Sequence, residues 1–227
     1  MIPPKHSASF VADMEHVLGI YAREPDPLRP LVCLDEFSIQ LLGEVRQPVP
    51  AAQGRPARED YEYTREGSAS AFMLCMPHLG TREVYLSEDG RRRATDYADA
   101  LRFLCEEMLP DAPVIDLVQD NLNTHCRASL YKRFSPEQAE AIDARLRWHY
   151  TPKHGSWLNM AEIEIGAVAS RALRRRIATL GEFRRQVGAA VKSRNANPKP
   201  IQWTFTSKGA RIKLATLYPL ALDVADH

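Results

Sequence analysis

Three acidic residues stand in contexts that suit metal chemistry. Asp35 ends the apolar run Leu31-Val32-Cys33-Leu34. Asp120 ends a second run from Val114 and opens Asp120-Asn121-Leu122-Asn123-Thr124-His125. Glu162 lies in Trp157-Leu158-Asn159-Met160-Ala161-Glu162, where helical spacing begins. Attack on a phosphodiester requires charge to be neutralised on the attacking oxygen, the leaving oxygen and the phosphoryl group. Two magnesium ions roughly 3.5–4 Å apart can do this, and manganese can substitute. Magnesium prefers carboxylate oxygens, and bound ions relieve the mutual repulsion of the acids that hold them. Two strand-end aspartates and a helix-borne glutamate would therefore suit cutting and rejoining phosphodiesters.

Each acid alone is weak evidence, because an aspartate at a strand end is more often a turn-former. Asp120 follows a nearly continuous apolar run, the pattern of a strand buried on both faces. For Glu162, a helical projection groups Leu158, Ala161, Ile165, Val168, Ala169 and Ala172 on one face, and Glu162 falls in that arc. A glutamate on a core-facing stripe is costly unless paired or metal-bound. Glu164 falls at the edge of the arc and reads as a rim residue.

Several other side chains have two readings each. His125 could touch a phosphate or serve as a hydrogen-bonded structural histidine. Asn121 and Asn123 could orient Asp120 or cap a turn. Lys153 and His154 could bind phosphate or decorate a surface loop. Trp157, Trp203 and Phe205 could stack on bases or pack in the interior. From Arg171 to Arg194 eight basic residues face one acid, Glu182. Arg171, Arg174 and Arg175 lead this run, which reads as a solvated helix face or a phosphate-facing stripe.

The elements that must position these residues follow from pattern. The chain has 227 residues, 44% hydrophobic and 26% charged, with a formal net charge of +1. That length supports one good core. The four cysteines form no Cys-x-x-Cys pair and read as reduced, packed thiols of a cytosolic protein. No apolar stretch approaches the ~18 residues of a membrane span, and the N-terminus lacks a signal-peptide core. Helical spacing predicts a helix over 9–22, followed by prolines and a strand over 31–37. A turn-rich excursion covers 43–58. Strands are predicted over 59–65, 69–77 and 82–87, with a turn at Glu66-Gly67-Ser68. Helices over 94–109 and 135–146 flank the strand that delivers Asp120. A strand over 146–150 leads to the Glu162 helix, capped by Ser156. A last helix covers about 179–194, before an irregular tail. The order predicts an α/β fold: three antiparallel strands, then alternating helices and strands, in one mixed sheet. Such a sheet could bring Asp35 and Asp120 together despite the intervening chain.

Ordered blocks then point to a family. Val32-Cys33-Leu34-Asp35-Glu36, the Asp120–His125 block and His154-Gly155-Ser156-Trp157-Leu158-Asn159-Met160-Ala161-Glu162-Ile163-Glu164 resemble the catalytic domain of DDE transposases. The branch resembled is that of bacterial insertion sequences in the mariner-like superfamily. Gly43-Glu44-Val45-Arg46 and Asp60-Tyr61-Glu62-Tyr63 add to the likeness, which covers about residues 10–195.

The resemblance implies a ribonuclease-H-like fold, with Asp35, Asp120 and Glu162 as metal-binding catalytic triad. It implies divalent metal, DNA as partner and a homodimer, with DNA cut at inverted-repeat ends by metal-activated water. The freed 3′-hydroxyl then attacks target DNA, often at TA. The segment 43–58 falls where relatives carry a loop used in dimer contacts. The expected organisation is an N-terminal helix and linker over 1–30, a catalytic domain over 31–195 and a tail over 196–227. The expected setting is a bacterial cytoplasm, on the nucleoid. Relatives carry an N-terminal helix-turn-helix region that this sequence does not show. The competing expectation is therefore a transposition-incompetent remnant that binds DNA or dimerises. A ribonuclease or junction nuclease on the same fold is a third.

Overall fold

The computed structural model describes residues 7–46, 51–56 and 61–218. Part of the turn-rich segment and the start of the strand predicted at 59 lie outside these residues.

Helix α1 (Ala8–Tyr21) opens the fold, capped by the Ser7 hydroxyl, which accepts from the Phe10 N–H. Its buried face carries Phe10, Met14, Val17, Leu18 and Tyr21, the stripe expected from spacing. Strand β1 (Leu31–Glu44) and strand β2 (Tyr63–Met76) form a long antiparallel hairpin, and β3 (Thr81–Tyr85) pairs with β2. Helix α2 (Ala94–Phe103) continues into a widened π turn, Leu104–Met108. Then come β4 (Ile115–Gln119), α3 (Ala128–Tyr131), α4 (Pro136–Arg145) and β5 (Leu146–Tyr150). A short 3-10 turn, Ser156–Leu158, precedes α5 (Ala161–Ala172), α6 (Leu180–Asn195) and α7 (Ser207–Lys213).

The sheet order is β3-β2-β1-β4-β5. β1 runs parallel to β4, and β4 parallel to β5. This is the mixed sheet anticipated from sequence, with three antiparallel strands feeding a helix–strand alternation.

Each face of the sheet buries its own core. Leu31, Cys33 and Phe37 point to the face covered by α1, α5 and α6. Val32, Leu34, Phe72 and Leu74 point to the face covered by α2 and α4. That alternation is the period-2 geometry of a strand, and it runs through apolar residues on both sides because both faces are covered. Cys33, Cys75 and Cys105 are buried free thiols, and Cys126 is half-buried. Among the described residues no helix is long and apolar enough to cross a membrane.

Four boundaries differ from expectation. β1 runs to Glu44, seven residues past the predicted end, because its antiparallel ladder to β2 continues after its parallel ladder to β4 has stopped. The turn predicted at Glu66-Gly67-Ser68 is a bulge within β2. There the register moves from Leu41↔Gly67 to Leu42↔Arg65, and Gly67 takes φ 115°. The helix predicted from Ser156 begins at Ala161 instead. Within its described residues the tail carries a helix where none is expected: Thr206 caps α7, accepting from the Gly209 N–H. Trp203 and Phe205 pack against the core below α1 and α5, edge-on to Tyr21 and Trp157 respectively.

Candidate metal centre

The parallel ladder between β1 and β4 pairs Leu31 with Asp116, Val32 with Leu117 and Cys33 with Val118. Asp35 follows the last of these pairs by two residues on β1, and Asp120 follows it by two residues in the chain, just past the end of β4. Strands in a ladder lie ~4.8 Å apart, so the two backbones deliver neighbouring carboxylates. The parity of β1 sends Asp35 to the face of Cys33, the face that α5 covers.

Asn159 brings the third element in. Its side-chain amide donates to the Leu34 carbonyl at 2.8 Å and to Asp35 Oδ2 at 3.4 Å. Its Oδ1 accepts from the Ala161 N–H at 3.1 Å, and its carbonyl accepts from the Glu162 N–H. One buried asparagine, just ahead of the Met160 N-cap, thus ties the start of α5 to the strand of Asp35. Glu162 follows in the first turn of α5, with its side chain exposed.

Asp35 is half-buried, and its Oδ1 accepts from the Glu36 N–H at 2.8 Å. Burial, and then the negative charge of Asp120, Glu36 and Glu162, pushes its carboxyl up to about 7. Among the described residues it has no ion-pair partner. The acids of Asp35, Asp120 and Glu162 act on one another electrostatically, but their oxygens do not all lie within 4.8 Å of one another. Negative charge this short of positive charge is what a divalent cation would relieve. The donors are hard carboxylate oxygens, the type that magnesium and manganese accept.

Asp120 is better compensated. Burial would raise its carboxyl, but His125 outweighs that and holds it below the ordinary range. His125 Nδ1 lies 2.5 Å from Asp120 Oδ1, which also accepts from the Leu122 N–H at 3.1 Å. His125 Nε2 lies 3.0 Å from Glu36 Oε2, close in distance but without hydrogen-bond alignment. Burial would lower the imidazole; its two carboxylate partners override this and push it up to about 9. Its ring stacks on Tyr97 at 4.7 Å, and Gln119 joins the two residues by accepting from the Tyr97 hydroxyl and donating to the His125 carbonyl. Glu36 also accepts from Arg92 Nη1 at 2.5 Å.

Donor atoms of Glu36, Asp120 and His125 all lie within 4.8 Å of one another. This set is a closed ion-pair cluster, because both imidazole nitrogens already face carboxylates. Glu36 is the residue that sequence reasoning passed over. Its place beside Asp35 on a strand, pointing to the opposite face, is the signal that could have found it.

The remaining predicted positions separate. His125 is buried beneath Asp120, where it cannot meet a phosphate. This is the structural reading of the two given above. Asn121 donates to the Thr151 carbonyl, which ties the Asp120 turn to the end of β5. Lys153 and His154 are exposed in the loop before α5, and His154 takes φ 65°. Arg171, Arg174 and Arg175 are exposed at the far end of α5, lining a recess with Glu182 and Gln186. The rest of the basic run disperses: Arg194 pairs with Glu164, Arg176 with Glu44, and Arg184 donates to Leu86 and Ser87 carbonyls.

The expected facing of α5 is corrected. Glu164 is buried at 2% exposure, whereas Glu162 is exposed. The buried positions are Ala161, Glu164, Val168 and Ala172. Leu158 belongs to the separate 3-10 turn, so including it in the projection rotated the arc toward Glu162. Glu162 stands on the helix's open side, not on its core stripe, and its charge is felt at Asp35.

The comparisons agree with this architecture. We found no match among curated protein sequences. The mariner Mos1 paired-end complex with Mg aligns with a TM-score of 0.55 at 15% identity, covering 96% of this chain and 66% of that one. The Mos1 paired-end complex with Mn gives 0.47 at 14% identity, covering 88% and 66%. The Mos1 strand transfer complex gives 0.48 at 16% identity, covering 86% and 62%. The chain thus spans just under two thirds of the length of these structures. The first of them carries the assignment of a ribonuclease-H-like fold. The family described as "DDE superfamily endonuclease" matches residues 30–184, more than half of the sequence. The protein therefore belongs to the DDE superfamily endonucleases.

Proposed function

We propose that this chain is the catalytic part of a DNA transposase, cutting phosphodiesters at element ends and joining them to target DNA. Asp35, Asp120 and Glu162 would hold two divalent ions, Mg2+ or in its place Mn2+. The metal would supply Lewis-acid neutralisation of charge at the phosphodiester. The chain's own groups do the rest. Asn159 holds Asp35 against the start of α5. His125, from behind, keeps Asp120 ionised.

The observation that supports this reading is that the parallel β1–β4 ladder ends two residues before both Asp35 and Asp120, while Asn159 binds both Asp35 and the first residue of the Glu162 helix. DNA is supported as the partner by the basic surface that flanks the acids. Lys153 and His154 stand before α5, and Arg171, Arg174 and Arg175 stand at its far end. The Mos1 structures are complexes of transposon ends, which agrees in kind. A homodimer is the reading that the resemblance implies, through the loop expected over 43–58.

The test supplies precleaved duplexes bearing the terminal repeats that flank the gene, a TA-containing target, and Mg2+ or Mn2+. Joined product is expected with the unaltered protein and none with Asp120→Ala. Absence of product with either metal overturns the assignment. Cleavage of RNA–DNA hybrids without joining would replace it with a nuclease.

A further inference from the structure

Glu164 stands two residues after Glu162 on α5 and takes no part in the metal centre. It is nonetheless among the most heavily engaged side chains in the molecule. Arg194 of α6 grips it with a fork, Nε to Oε2 at 2.9 Å and Nη2 to Oε1 at 2.8 Å. Arg82 of β3 pairs with Oε2 at 2.9 Å and is itself 1% exposed. Asn195 completes the knot. Its Oδ1 accepts from the Arg82 N–H and guanidinium, and its amide donates to the Arg82 carbonyl at 2.7 Å. One carboxylate thus joins α5, the edge strand β3 and the end of α6.

Buried ion clusters contribute little to net stability, because desolvation offsets their attraction. Directional grip is where they exceed apolar packing. The face that α5 buries otherwise consists of Ala161, Val168 and Ala172. These are small, smooth residues that resist rotation about the helix axis weakly. A bidentate arginine–carboxylate pair has a fixed geometry and does resist it. Residues two apart on a helix point about 200° apart. Fixing Glu164 inward therefore fixes Glu162 on the helix's open side, from where its charge reaches Asp35. Asn159 tethers the same first turn to β1. The turn is clamped from both sides.

We propose that Glu164 is a positioning residue for Glu162: the Arg82–Glu164–Arg194 cluster sets the rotation of α5 and so the direction in which Glu162 meets Asp35 and Asp120. This rests on the reading of Glu162 as a metal ligand.

The test measures Mn2+ binding in the absence of DNA, by the electron paramagnetic resonance signal of free Mn2+, alongside strand transfer and thermal melting. Glu164→Asp keeps the charge and withdraws the carboxylate by one methylene. Arg194→Met removes the fork at its more exposed end, where the arginine is 21% exposed, and leaves Arg82 paired. Both variants should weaken Mn2+ binding about tenfold. Both should recover strand transfer at saturating Mn2+, to within about threefold of the unaltered protein. Glu162→Gln should show weak binding and no transfer at any Mn2+ concentration. A purely structural role for Glu164 would lower the melting temperature and leave Mn2+ affinity unchanged. That result, with Glu162→Gln inactive, overturns the positioning proposal alone. Full binding and transfer by Glu162→Gln overturns the ligand assignment, and the proposal with it.

Discussion

Asp35 and Asp120 follow the last parallel pair of β1 and β4, Cys33 with Val118, by two residues each, yet they carry their charge on different terms. Asp120 has His125 against it, whereas Asp35 faces acids and has no cation among the described residues. The metal-free protein holds at Asp35 a charge that the fold does not compensate.

A stability–function conflict at Asp35 follows. Its folded value of about 7 exceeds the ordinary 3.8, so the native state binds the proton more tightly. Stability without metal should therefore fall as pH rises from about 4 to 7. Asp35→Asn removes that liability and should raise metal-free stability at pH 8 by roughly 2 kcal/mol, after discounting for partial exposure. The same variant should lose strand transfer. Mg2+ should raise the melting temperature of the unaltered protein, chelation by EDTA should reverse the rise, and Asp35→Asn should respond to neither. A melting temperature unchanged by Asp35→Asn at pH 8 would refute the electrostatic account.

His125 acts in the opposite sense. Its folded value of about 9 lies above 6.5, so its contribution is complete below pH 6.5 and fades as pH rises through 9. His125→Gln should flatten the alkaline limb of the stability profile and leave Asp120 without its cation, while Glu36 keeps Arg92. The expected cost at pH 7 is about 3 kcal/mol. Metal affinity should fall about tenfold, because Asp120 loses the group that orients it. Melting curves from pH 6 to 10 decide this: parallel alkaline limbs in both proteins would exclude His125 as the titrating group.

The parts of this fold legible in the sequence were those set by local periodicity and composition. The α1 stripe, the Ser135-Pro136 start of α4 and the β5 segment are each determined by neighbours in the chain. The β1–β2 hairpin was misjudged in length because tertiary pairing, not local pattern, decides how far a strand runs. Gly67 supplied a turn-like signal that the fold uses as a bulge. At the site, Asp35, Asp120 and Glu162 stood out by their runs and spacing. The roles of Glu36 and Glu164 did not, because each depends on a partner from distant sequence: His125 in one case, Arg82 and Arg194 in the other. A single-helix projection has no access to such partners, and it puts Glu162 in the core-facing arc and Glu164 at its edge, where the fold exposes the first and buries the second.

At the other end of β4, Asp116 anchors a network remote from the metal centre. It takes Arg29 through 2.7 and 2.9 Å contacts and His149 Nε2 at 2.7 Å, while His149 Nδ1 meets His16 of α1 at 2.8 Å. Burial would raise its carboxyl, but His149 and Arg29 hold it down at about 2. A depressed acid contributes stability above about pH 4, and the contribution is lost as pH falls toward 2. Asp116→Asn should cost about 2 kcal/mol at neutral pH and blunt the acid limb. Strand transfer per folded molecule should be unchanged well below the melting temperature. Loss of transfer without loss of stability would show that this network reaches the active face.

The arginines at the end of α5 give a prediction that separates DNA contact from surface decoration. Arg171, Arg174 and Arg175 are exposed, and among the described residues none pairs with an acid. Arg174 donates from Nε to the Ser170 carbonyl, which leaves the end of its guanidinium facing outward. If each neutralises one phosphate, each contributes about 0.9 to the slope of log affinity against log salt. Replacing all three by alanine should lower that slope by roughly three for duplex DNA of any sequence. Mn2+ affinity should stay as it was, because Arg171, the nearest of the three in the chain, lies ~14 Å of helix rise beyond Glu162 and the other two follow the end of α5. Fluorescence anisotropy from 50 to 200 mM salt measures the slope directly. An unchanged slope would make the cluster a solvated helix end and move the DNA path to the Lys153–His154 side of α5.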